Sequence, residues 1–125
     1  METALVFNRE GTALIWHTPH GRTQGSIPDS RFLWDMLWTF RHQLGGVAHT
    51  HPWDGHAAPS RTDVTTFRAI EVGLGRLLLW PIVTFTEVRW YGYDPYTGDY
   101  GEVGETVTAP LAANLDVDGL RALSR

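Results

Sequence analysis

The spacing of apolar and polar positions changes several times along this chain, and each change marks an element. Thr3–Phe7 and Thr12–His17 are short β-type runs joined by Asn8-Arg9-Glu10-Gly11. Asn and Gly favour a tight connection, so the pattern predicts a hairpin. Thr18–Pro28 holds Pro, Gly and Ser and predicts a loop, with His17 and His20 solvated at its entrance. Leu33, Met36, Leu37, Phe40 and Leu44 then recur at helical spacing. They predict a helix capped by Asp29 or Ser30, running to about Gln43 and stopped by Gly45-Gly46. Trp34 and Trp38 stand one turn apart on the flank of that stripe; core packing is favoured over a partner or dimer face.

Val47–His51 reads as a strand that closes at Pro52, which cannot donate to a ladder. After the polar loop Pro52–Pro59, Ser60-x-x-Asp63 has the form of a capping box. The helix it opens runs to Gly73 or Gly75, with Val64, Phe67 and Ile70 facing inward. Leu77–Trp80 is continuously apolar, the mark of a strand covered on both faces, and Pro81 predicts a kink or bulge before Ile82–Phe85. Glu87–Tyr93 alternates as an antiparallel partner, and Asp94-Pro95-Tyr96-Thr97-Gly98 is a turn sequence. The stretch to Thr108 is expected to form a further hairpin. After Pro110, the spacing of Leu111, Leu115, Val117, Leu120 and Leu123 predicts one short C-terminal helix.

At 125 residues these elements make one α/β (α+β) domain, spanning 1–125. Apolar residues at 42 % and aromatics at 12 % are enough for a packed core rather than a disordered chain. There is no cysteine, so disulfides, thiolate–zinc sites and cysteine nucleophiles are excluded. A net charge of −4 without a basic run argues against a nucleic-acid partner. No signal peptide and no run long enough to span a bilayer is evident, so the expected location is the cytoplasm, with no membrane partner.

The chemistry concentrates at 46–63. On a strand, His49 and His51 point to one face, roughly 6–7 Å apart along it. Two imidazoles so placed can converge on one metal ion, and Asp63 from the next element would be a third ligand. Three protein ligands with a position left for water is the usual open, catalytic zinc arrangement, so Zn2+ is the expected metal. Asp54 and His56 do not fit the alternative H-x-H-x-D-H pattern, because Gly55 separates them. Trp53 could line a substrate groove or pack beneath its loop.

His49-Thr50-His51-Pro52, followed by Ser60-x-x-Asp63, resembles the signature of the JAMM (JAB/MPN) metalloproteases: an upstream glutamate, H-[ST]-H-P, then S-x-x-D. The eight residues Pro52–Pro59 are one more than the family usually has between the second histidine and the serine. The resemblance covers about Glu2–Tyr93, with 94–125 as a C-terminal extension. It implies a mixed, curled β-sheet flanked by helices, the JAB/MPN (cytidine-deaminase-like) architecture. It also implies His49, His51 and Asp63 as zinc ligands, Ser60 as a supporting catalytic residue and Glu2 as the catalytic glutamate. Glu10 competes for that last role, but it lies in the presumed turn. The implied reaction is hydrolysis of an amide by metal-activated water, in a protein or peptide substrate and at the C-terminus of a ubiquitin-like modifier. The alternatives are a non-catalytic MPN-type scaffold module and a metal-binding domain of a phage or defence assembly. The oligomeric state is left open.

Overall fold

The computed structural model of the chain describes residues 1–19, 21–23 and 31–125. β1 (Ala4–Asn8) and β2 (Ala13–His17) form the expected hairpin. Asn8 makes the turn: its Oδ1 accepts the Glu10 and Thr12 N–H groups, each at 3.0 Å, and Gly11 takes a φ of 91°. There follow α1 (Arg31–Thr39), β3 (Leu44–Thr50), α2 (Arg61–Leu74), β4 (Trp80–Val83), β5 (Val88–Asp94), β6 (Asp99–Glu102), α3 (Glu105–Ala112) and α4 (Val117–Ser124). The strands build one open, mixed sheet in the order β2-β1-β3-β4-β5-β6. The β3–β4 pair is parallel and its neighbours are antiparallel. α2 is the crossover that such a parallel pair requires.

Helices cover both faces of the sheet. Ala4, Val6, Val47 and Ile82 pack against Leu37 of α1 and against Phe67 and Ile70 of α2. The intervening residues Leu5, Phe7, Ala48 and Val83 turn the other way, onto Leu115 and Leu120. No helix among the described residues is long and apolar enough to cross a membrane.

Several boundaries differ from the sequence expectation. α1 ends at Thr39, and Leu44 opens β3 instead of closing a helix. Gly45 and Gly46 lie inside β3. A Cβ at Gly45 would stand 2.2 Å from the Asn8 carbonyl oxygen, and one at Gly46 would stand 1.9 Å from that of Leu79. These glycines let β3 pass close to its neighbours; they are not a helix stop. Trp34 and Trp38 are not core residues: they are 39 % and 54 % exposed, with Arg41 stacked over Trp38. His17 is buried at the end of β2 rather than solvated, and burial lowers its imidazole pKa. The Asp29/Ser30 cap and His20 lie outside the described residues.

Leu77 is exposed, and the regular strand starts only at Trp80. Pro81 sits within β4 and leaves the β4–β5 register unbroken. Its missing N–H falls where the β3–β4 ladder is interrupted, between the Gly46–Leu79 bridge and the His49–Ile82 pair. The second hairpin ends at Glu102, and α3 occupies residues up to Ala112 with Pro110 inside it. The C-terminal apolar spacing is therefore divided between two helices. Asp116 caps the second, accepting from the Gly119 N–H at 2.9 Å.

Candidate metal centre

Sheet register brings the first two ligand candidates and Glu2 together. Ala4 pairs with His49, so extending the antiparallel ladder by two residues sets Glu2 across from His51, on the same face. The ladder does continue: Thr50 N–H donates to the Thr3 carbonyl at 2.9 Å. Thr3 N–H donates to Thr50 Oγ1 at 2.8 Å, and the Ser124 hydroxyl reaches the same oxygen at 2.7 Å. Glu2 N–H donates to the Thr23 carbonyl at 2.7 Å. The segment bearing Glu2 is thus held by the hydrogen bonds of β3, α4 and the stretch after β2.

The third candidate comes from the first turn of α2. Ser60 is the N-cap, with Asp63 N–H donating to Ser60 Oγ at 3.0 Å and Ser60 N–H donating to Asp63 Oδ2 at 2.8 Å. This reciprocal box fixes the Asp63 rotamer and aims its carboxylate at the histidines. Ser60 Oγ acts here as an acceptor, which leaves its hydroxyl hydrogen available to donate.

The donor atoms converge. His49 Nε2 lies 3.2 Å from His51 Nε2, while Asp63 Oδ2 lies 3.3 Å from His49 Nε2 and 3.0 Å from His51 Nε2. Glu2 Oε1 stands 3.9 Å from His51 Nε2, and all four groups offer ligand atoms within 4.8 Å of one another. Hydrogen bonds alone do not satisfy such a triangle. If both imidazoles donate to Asp63, their two N–H groups face each other; if one accepts from the other, it can no longer donate to the carboxylate. Tetrahedral zinc with bonds of about 2.0–2.1 Å separates neighbouring ligands by about 3.3–3.4 Å. The three edges are close to that value, so the donor set fits a metal ion with little rearrangement. Glu2, set back from the triangle, suits a group acting beside the metal.

Surroundings complete the electrostatics. The side chains of His49, His51 and Glu2 are 10 %, 6 % and 7 % exposed, and Asp63 at 18 % marks the accessible side. Phe67 meets the His49 ring edge-on at 6.0 Å, and Trp53 stacks on the His51 ring at 4.7 Å. Burial raises the Glu2 carboxyl above the usual range, against the opposing pull of His49 and His51. Burial also pushes Asp63 upward, but hydrogen bonds and charge from the two histidines, with the Ser60 N–H, hold it far below the carboxylate range.

Glu10 lies in the exposed β1–β2 turn, away from the cluster. Asp54 and His56 are exposed, and His56 Nδ1 pairs with Glu87 at 3.1 Å. Sequence reasoning missed the packing of Phe67 against His49 and the role of Glu87 in anchoring the loop after Pro52. Phe67 carried a helical-spacing signal for burial but none for its neighbour. Cavities of about 440 Å³ beside Arg68, Tyr93 and Tyr100, and of about 690 Å³ between β5–β6 and α3, lie elsewhere. Neither contains a convergent ligand set among the described residues. Compared with known proteins, the chain matches no family model and no curated relative.

Proposed function

We propose that this chain is a JAMM-type zinc peptidase or isopeptidase of JAB/MPN architecture, hydrolysing an amide bond in a protein or peptide substrate. The observation that carries this reading is the meeting of His49 Nε2, His51 Nε2 and Asp63 Oδ2 at edges of 3.0–3.3 Å, with Glu2 beside them. The order of elements supports it too: hairpin, helix, H-x-H strand, then a helix opened by S-x-x-D. Zinc is the expected ion because two imidazoles and one carboxylate suit it.

When bound, zinc supplies an activated water near neutral pH and polarises the scissile carbonyl. Glu2 takes the proton from the attacking water, acting as general base and then as general acid. It passes that proton to the departing amine. In this reading the Ser60 hydroxyl donates to the carbonyl oxygen as negative charge develops there. The capping box keeps Asp63 directed at the two imidazoles throughout. A modifier's extended C-terminal tail is the proposed substrate segment, and an unpaired sheet edge is the usual receiver of such a strand. The buried carboxylate of Glu2 beside the three donors favours the catalytic reading over the scaffold one.

The test is zinc stoichiometry together with hydrolysis of a ubiquitin-like modifier fusion. One zinc per chain is expected, with cleavage reduced about 10²–10⁴-fold in Glu2→Ala while the zinc is retained. Equal cleavage by Glu2→Ala and the parent would overturn the role of Glu2. Absence of zinc after loading would overturn the metal centre itself.

A further inference from the structure

Trp53 is a large aromatic side chain left 45 % exposed on the loop that follows His51. One face of its indole is occupied: it stacks on the His51 imidazole with centroids 4.7 Å apart and planes 26° from parallel. The residue is also held firmly. Its N–H donates to the His51 carbonyl at 2.7 Å, and its carbonyl accepts from the Phe85 N–H at 3.0 Å.

The remainder of the loop is pinned to the β4–β5 connection and to β5. Gly55 N–H donates to Thr86 Oγ1 and Thr84 Oγ1 donates to the Gly55 carbonyl, both at 2.8 Å. Ala57 N–H donates to Glu87 Oε2 at 2.5 Å, and its carbonyl accepts the Tyr91 hydroxyl at 2.6 Å. One side of the indole is packed on His51, yet the residue remains 45 % exposed. This one is fixed by backbone bonds, shares a stack with a ligand candidate and keeps an apolar surface in water.

Resting on the metal-centre reading above, we infer that Trp53 is a specificity-determining residue: a preformed aromatic platform for a flat apolar side chain flanking the scissile amide. Such a group exchanges water for the indole face at little ordering cost, because the platform is already rigid. The class of substrate the site takes is therefore an amide with an aromatic side chain beside the bond that breaks. Trp53 takes no part in proton transfer; it discriminates.

The test uses metal-binding probes and needs no substrate. Acetohydroxamate, benzohydroxamate and phenylacetohydroxamate are titrated into the zinc-loaded protein by calorimetry, so that a methyl group is compared with a phenyl group at two reaches. The better aryl probe is expected to bind about fivefold tighter than acetohydroxamate, the scale of one aromatic pair. Trp53→Ala should remove that preference while acetohydroxamate affinity stays within about twofold, and Trp53→Phe should restore most of it. An aryl preference that survives in Trp53→Ala, or that is missing in the parent, overturns the inference while leaving the metal centre standing. Failure of acetohydroxamate to bind, with no zinc on the protein, overturns the metal centre and this inference with it. Should Trp53→Ala not fold, Trp53→Leu takes its place, because it keeps apolar bulk and loses the flat ring.

Discussion

Zinc added to metal-free protein should raise its melting temperature, by an amount set by the free zinc concentration relative to its dissociation constant. The three donor atoms already stand 3.0–3.3 Å apart, so little binding energy is lost to rearranging the chain and the dissociation constant is lowered accordingly. Free zinc at 100 times its dissociation constant contributes about 2.7 kcal/mol. For a chain of 125 residues the unfolding entropy at the midpoint is about 0.26 kcal/mol/K, so the midpoint should rise by about 10 °C. His49→Ala removes one of the three ligands. If that weakens binding about 100-fold, the same zinc contributes only about 0.4 kcal/mol, a rise below about 2 °C. The assay is differential scanning calorimetry with and without zinc, each variant read against its own metal-free melt, because the substitution changes baseline stability as well. A parent shift below about 2 °C would refute the converging-ligand reasoning. An equal shift in His49→Ala would place the zinc on other histidines, such as His42 or His56.

Phe67 is 2 % exposed and stacks on Trp80 with centroids 4.4 Å apart, so Phe67→Ala should cost about 3–5 kcal/mol and lower the melting temperature by about 10–20 °C. A loss below about 1 kcal/mol by thermal melting would show that Phe67 does not support the His49 side of the core. Ser60→Ala removes the acceptor for Asp63 N–H and should cost about 1 kcal/mol in urea unfolding, with weaker zinc affinity because Asp63 loses one of its two restraints. Unchanged zinc affinity would separate the cap from the centre. The Glu87 carboxylate, held by Arg89 and by the Ala57 N–H, is lowered to about 2 and should titrate there in a carbon-13 NMR experiment. Since its folded pKa lies below the ordinary value of 4.5, its contribution to holding the loop is complete above that value and is lost as the pH falls toward about 2. Titration at the ordinary value would show that the loop is not anchored through Glu87.

The candidate centre was more legible than the fold around it, for a physical reason. His49, His51 and Asp63 lie within one strand–loop–helix unit, where strand alternation and a capping box govern direction over a short range. Gly45 and Gly46 misled because a glycine pair means the same to a helix end as to a crowded strand. The difference lies in the Asn8 and Leu79 carbonyls, which are distant in sequence. The single C-terminal helix misled similarly: apolar spacing does not register a break, and Asp116 starts a new helix after Leu115. His17 closes the β2 run, and nothing in the local pattern marks it as buried.

Glu2 is the instructive case, because the turn sequence around Glu10 disfavours that residue but does not by itself place Glu2. Both are glutamates near β1, and both are within reach of a strand end in sequence terms. What separates them is register. Ala4 opposite His49 sends Glu2 toward His51, while the same strand carries Glu10 into the turn beyond its far end, where it is exposed. A slip of one residue in the β1–β3 pairing would turn Glu2 to the opposite face and leave the three donors without a neighbouring carboxylate. Two hydroxyls resist that slip: Thr50 Oγ1 takes the Thr3 N–H, and Ser124 of α4 holds Thr50 Oγ1. The C-terminal helix thus bears on the candidate centre without contributing a ligand. It holds the register that sets Glu2 beside the histidines, so the site depends on the two ends of the sheet–helix sandwich being joined.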